Sequence, residues 1–161
     1  ARYRLMADLK ALSDEMAKLK RQIETVLYIS GYNKNSDLSG LSDYRQIKSA
    51  DDWQKVEEYE GILYKLDEMQ SRMDYHTKPV KEVSRLHMNS QGRYETDGGH
   101  YYTSGSSIEF LKVEEIYNSD TGQYEDTPVW TVSRVEHDGT DYYIVTYGNV
   151  ELSGLKVRVR G

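Results

Sequence analysis

The chain of 161 residues is 37% hydrophobic and 30% charged, a globular composition with room for one domain or two very small ones. It has no cysteine, which excludes disulfides, thiolate zinc sites and thiol nucleophiles together. The net charge of −6 sits in residues 92–161, where 6 Lys/Arg face 12 Asp/Glu, and this disfavours direct nucleic-acid binding by that half.

The opening Ala1-Arg2-Tyr3-Arg4-Leu5 has no apolar run behind its charges, so no signal peptide is expected. No stretch approaches the ~18 apolar residues of a membrane span, and the expectation is a cytoplasmic protein without membrane contact. Leu5, Leu9, Leu12, Met16, Leu19, Ile23 and Val26 are spaced by alternating steps of four and three. That is a heptad seam, and it predicts a helix ending near Tyr28–Gly31. Asn33–Ala50 is polar and reads as a long connection with a short helical turn near Leu41–Ile47. Ser49-Ala-Asp-Asp52 then has the pattern of an N-cap. The second helix carries Trp53, Val56, Tyr59, Leu63, Leu66, Met69 and Met73 on one stripe, and Pro79 breaks it. A further short helix through Val80, Val83 and Leu86 is expected. Two such helices make an antiparallel hairpin with a thin core, in which Leu12 and Leu19 should be buried. The hairpin must find a third surface, and a homodimer through the seam is one solution.

After Gly92 the period changes from helical to two. Strands are expected at Arg93–Thr96, Ile108–Tyr117, Tyr124–His137, Tyr142–Tyr147 and Leu155–Arg160. Asn118–Gly122 and Asp138-Gly139 are hairpin turns. The expected fold class is therefore α+β. An N-terminal antiparallel helical hairpin, residues 1–88, precedes a small SH3-like antiparallel β-barrel, residues 92–161.

Gly92-Arg-Tyr-Glu, Thr103-Ser-Gly-Ser-Ser-Ile-Glu109, Trp130–His137, Asp141–Ile144 and Leu152–Arg160 follow one another in a recurring order. Together they resemble a small β domain of unknown function found in Gram-positive bacteria and their mobile genetic elements. The resemblance implies the fold and a setting for an accessory role, and it transfers no active site.

No catalytic motif emerges. His76, His87, His100 and His137 have no partner at helical spacing, so neither a metal site nor a cofactor is expected. Adjacent acids such as Glu114/Glu115 point apart on a strand. The chain has fifteen tyrosines against one phenylalanine, and tyrosine is an interface residue. Tyr101, Tyr102, Tyr142 and Tyr143 are candidate partner-binding residues, one of the last pair facing in and one out. Arg134 and Glu136 share a strand face beside Trp130, and would form cross-strand ion pairs with Arg158 and Arg160 if the strands were neighbours. The expected function is a non-enzymatic adaptor with a protein partner. The alternative is an acidic inhibitor of a nucleic-acid enzyme, of anti-CRISPR or anti-restriction type. It would use Glu114, Glu115, Glu125 and Asp126 to occupy a basic channel.

Overall fold

In the computed structural model, residues 7–161 are described. The chain divides into two compact units, Ala1–Thr77 and Lys78–Gly161. The division lies ahead of the expected one, between Leu86 and Arg93. Among the described residues no helix is long and apolar enough to cross a membrane.

The first unit is helical. Helix α1 (Leu9–Ile29) starts where the Asp8 carboxylate accepts the Ala11 N–H at 2.7 Å. Leu5 lies outside the described residues. A short α2 (Tyr32–Asn35) and a 3₁₀ turn (Tyr44–Gln46) follow within the connection. Helix α3 (Ala50–Thr77) is capped by the Ser49 hydroxyl, which accepts the Asp52 N–H at 3.1 Å. Helices α1 and α3 run antiparallel. Lys20 reaches both Glu24, at 2.9 Å, and Asp74, at 3.3 Å, and Gln70 meets Glu24. The Lys20 ammonium is held above its ordinary pKa by the Glu24 carboxylate first and Asp74 second.

The core of this unit is Ile23, Leu27, Tyr32, Leu38, Val56 and Leu63. It sits where the connection folds back on α3, with the Leu38 N–H donating to Glu60. The heptad expectation for α1 holds only near its C-terminus. Leu12 and Leu19 are 53% and 43% exposed, and Leu9 and Met16 are exposed too. The cause is that the core forms against the connection, and among the described residues nothing of that kind lies over the N-terminal turns of α1.

The second unit is an antiparallel sheet. The expected short helix after Pro79 is instead strand β1 (Val80–Arg85), because Val80 and Val83 are β-branched and β1 finds a partner strand. Then come β2 (His87–Met88), β3 (Tyr94–Glu95), β4 (Ser107–Asn118), β5 (Gln123–His137), β6 (Tyr142–Ile144) and β7 (Lys156–Arg160). The five-stranded sheet has the order β1-β7-β4-β5-β6, and β2-β3 form a separate pair. The ends β1 and β6 do not meet in the pairing, so the expected closed barrel is not found. Phe110, Ile108, Val135, Ile144 and Val157 form the centre of the core on the sheet's inner face, with Leu86, Tyr94, Tyr102 and Leu152 around them. At one edge the Glu82 carboxylate accepts from Thr96 and from the Gly98 N–H. A Cβ on Gly98 would lie 2.6 Å from that carboxylate, so any other residue there would push the Glu82 side chain aside.

Candidate functional site

The outer face of the sheet follows from strand alternation. Val157 turns into the core, so Arg158 and Arg160 turn outward, and Arg158 lies opposite Glu109 of β4. Glu109 is only 2% exposed. Burying a lone carboxylate costs several kcal/mol, and both its oxygens are therefore paired. Arg158 Nε donates to Oε1, Arg160 Nε to Oε2 at 2.8 Å, and Arg160 Nη2 to Oε1 at 3.2 Å. Arg160 Nη1 also donates to the Lys78 carbonyl at 2.9 Å. The Arg158 guanidinium lies 4.5 Å from the centre of the Trp130 ring, a cation–π contact. Two guanidiniums thus share one carboxylate on the outer face.

Beyond this cluster β4 and β5 continue as a two-stranded ribbon. Strand β7 pairs with β4 only at Glu109 and Phe110, and β6 pairs with β5 only at Val135–His137. Pro128 is tolerated because β5 has a free edge there. Directly opposed residues share a face, and on the outer face these pairs are Glu109/Val132, Leu111/Trp130, Val113/Pro128, Glu115/Asp126 and Tyr117/Tyr124. Val113 is 64% exposed and Tyr124 70%; the Tyr117 and Tyr124 rings meet edge-on at 5.4 Å. The row is an apolar and aromatic strip with the arginines at its root and an acidic pair near its tip.

Of the residues singled out from sequence, Trp130, Arg134, Glu136, Tyr143, Glu115 and Asp126 share this outer face. Arg134 pairs with Glu136 on its own strand at 2.8 Å. The expected cross-strand pairs with Arg158 and Arg160 do not form, because β4 separates β5 from β7 and Glu109 takes both arginines. Glu114 and Glu125 lie on the ribbon's other face, held by Lys112 at 3.0 Å and by Asn118 at 3.0 Å. Tyr102 is a core residue, not a contact residue. Tyr142 turns inward against Tyr94 and His137, while Tyr143 is exposed, as alternation requires. Burial raises the pKa of Tyr94, with Asp141 and Glu151 adding to it. Tyr101 stays exposed, with Arg93 over its ring.

Sequence reasoning missed Glu109, Leu111, Val113 and Val132. A glutamate between Ile108 and Phe110, with an Arg-x-Arg pair in a later strand, was the available signal. No group of three or more His, Asp or Glu among the described residues could hold a metal ion.

The fold and this face define a small open antiparallel sheet with a projecting ribbon. Residues 84–159 match a family described as a domain of unknown function, DUF5348. No curated protein matches the chain, and no solved structure does.

Proposed function

We propose that the protein is a non-enzymatic interaction module. Its β unit receives an extended segment of a partner protein along the outer face of the β4–β5 ribbon. The observation that carries this reading is the outer-face row of half-buried Trp130 and Leu111 with exposed Val113, Pro128 and Val132, beside Arg158. Apolar side chains held in line on a paired ribbon, with tryptophan and arginine adjacent, have the composition of an interface core. Glu109 and Trp130 hold the Arg158 guanidinium in place, so little side-chain entropy is lost when it meets a ligand. The partner segment suited to it alternates apolar residues and carries an acid near the ribbon's root. The sheet is in this reading an opened relative of the SH3-like roll, supported by its short antiparallel strands wrapped on one core.

A second reading is favoured by one further observation. Glu115 faces Asp126 directly across the ribbon, and like charges so placed are destabilising. With Glu114 and Glu125 behind them, the tip is acidic on both faces, as an inhibitor of a basic nucleic-acid channel would be.

Selection of displayed random peptides on the immobilised chain separates the two. The first reading expects enriched peptides with apolar alternation whose binding falls at least tenfold in Val113→Asp or Val132→Asp and changes little with salt. Lysine-rich peptides, released by salt and by neutralising Glu115 and Asp126, would instead favour the second. No enrichment, or binding indifferent to all these changes, removes both.

A further inference from the structure

Helix α3 has a second apolar stripe, of which Leu66 and Met73 pack on the edge of the unit's own core and Tyr59, Ile62 and Met69 stand exposed among the described residues. Val56 and Leu63 go to the core, but Tyr59, Ile62, Leu66, Met69 and Met73 follow steps of three and four along a different line. Ile62 is 51% exposed, and Tyr59 and Met69 are exposed as well. These residues form one wall of linked hollows of about 430, 460 and 310 Å³. The first and second share Ile62 and Leu66, and the second and third share Met69. Val26 and Ile29 of α1 line the other wall at one end, and Met16 at the other. The result is a run of linked, largely apolar hollows along α3, the kind of surface that takes the apolar face of a helix.

The charges beside this surface say which helix. Glu58, Lys65 and Arg72 lie seven residues apart on its open flank, acidic at one end and basic at the other. We infer that the occupant is α3 of a second copy of this chain, running antiparallel about a twofold axis near Lys65. That register sets Ile62 against Leu66 and Tyr59 against Met69 of the other copy. It also sets Glu58 against Arg72 twice, once on each side of the axis. In an antiparallel pair, residues on this flank face their own kind, so a charge gradient of this form is self-complementary only when the helices are antiparallel. Lys65 meets its counterpart near the axis, and its pairing with Glu68 at 3.5 Å on the same helix moderates that repulsion. The inference is independent of the ribbon reading, since it concerns the other unit.

The test is sedimentation equilibrium of the full chain from low micromolar to submillimolar concentration, with circular dichroism as a check on folding. The chain should be a dimer. Met69→Glu should weaken it about a hundredfold, since each substitution acts twice across the axis. Glu58→Arg alone, or Arg72→Glu alone, should weaken it about threefold to tenfold, and the double exchange should restore it. The double exchange alters no apolar packing, so it reports even if Met69→Glu disturbs the helix. A chain that stays monomeric throughout, an association indifferent to Met69→Glu, or a double exchange that fails to restore it would each overturn the inference.

Discussion

Glu109 shows how one side chain sets the character of a whole face. Its carboxylate holds Arg158 and Arg160 on the outer side of the sheet, and Arg158 in turn lies on Trp130. Replacing Glu109 by Ala removes the carboxylate that two half-buried guanidiniums share, at a cost of about 2–4 kcal/mol. Glu109→Gln keeps the shape and should lose about half as much. Urea unfolding with an unchanged slope measures both, and a midpoint unmoved by Glu109→Ala would mean that water serves the arginines equally well. Thr146 is a second residue with a readable cost. Its φ of +70° is unusual for a β-branched residue. Thr146→Asn accepts that backbone more easily, and should raise stability by about 0.5–1 kcal/mol in the same assay. Thr146→Gly should gain less, because glycine also loosens the unfolded chain. Asp138 links the fold to pH. The N–H groups of Asp141 and Thr140 lower its pKa below the ordinary 3.8. A lowered folded-state pKa means stabilisation that is complete above the unfolded pKa and disappears as pH falls through the folded value. The wild type should therefore lose stability below pH ~4 more steeply than Asp138→Asn, in which the group cannot titrate.

At the scale of elements, the two helices differ in where their apolar residues do their work. Leu27 is buried and Leu12 is not. Leu27→Ala should cost about 2–5 kcal/mol, and Leu12→Ala under about 0.5 kcal/mol, in unfolding of the helical signal. Equal losses would mean that the N-terminal turns of α1 are covered after all. The seam itself was legible, because a heptad pattern reports that one face is apolar. It does not report how far the neighbouring segment reaches to cover that face. The polar connection folds onto α3 through Leu38, Leu41, Tyr44 and Ile47, four apolar residues too scattered to show a period. The long strands β4 and β5 and both their turns were legible from aromatic and β-branched content with Asn118–Gly122 and Asp138-Gly139 between the runs. Strand β1 was not, since Val80, Val83 and Leu86 also satisfy a helical spacing, and only pairing with β7 decides between the two. The outer face was half legible. Alternation put Trp130, Arg134 and Glu136 together, but strand order, which decides what Arg158 and Arg160 touch, depends on contacts distant in sequence.

At the scale of the whole molecule, where the β unit begins is decided by what β1 contributes. Its register with β7 runs from Val80↔Arg160 to Arg85↔Lys156, with one irregularity between Val80 and Glu82. It therefore covers the free edge of the strand that holds both arginines. Leu86, directly after it, is a core residue, and its N–H and carbonyl bond the Leu155 carbonyl and the Gly154 N–H. Glu82 and Ser84 reach across to the 96–98 turn, where they accept from Thr96, Gly98 and Asp97. The Lys78 carbonyl, which accepts from Arg160, lies at the start of the same stretch. A chain of residues 78–161 keeps all of these contacts and has its own core, so it should unfold cooperatively in urea with the sheet signal intact. A chain of residues 92–161 loses the strand, the Leu86 side chain and the pairing of β7 along one edge. The lost Leu86 packing alone is worth about 2–5 kcal/mol. A domain of this size has only about 5–15 kcal/mol to lose, so the shorter chain should be largely unfolded and prone to associate through its bare β7 edge. Amide hydrogen exchange on the two chains distinguishes the outcomes. Equal protection of Phe110 and Val157 in both would place the start of the cooperative unit after β1 and contradict the boundary at Thr77–Lys78.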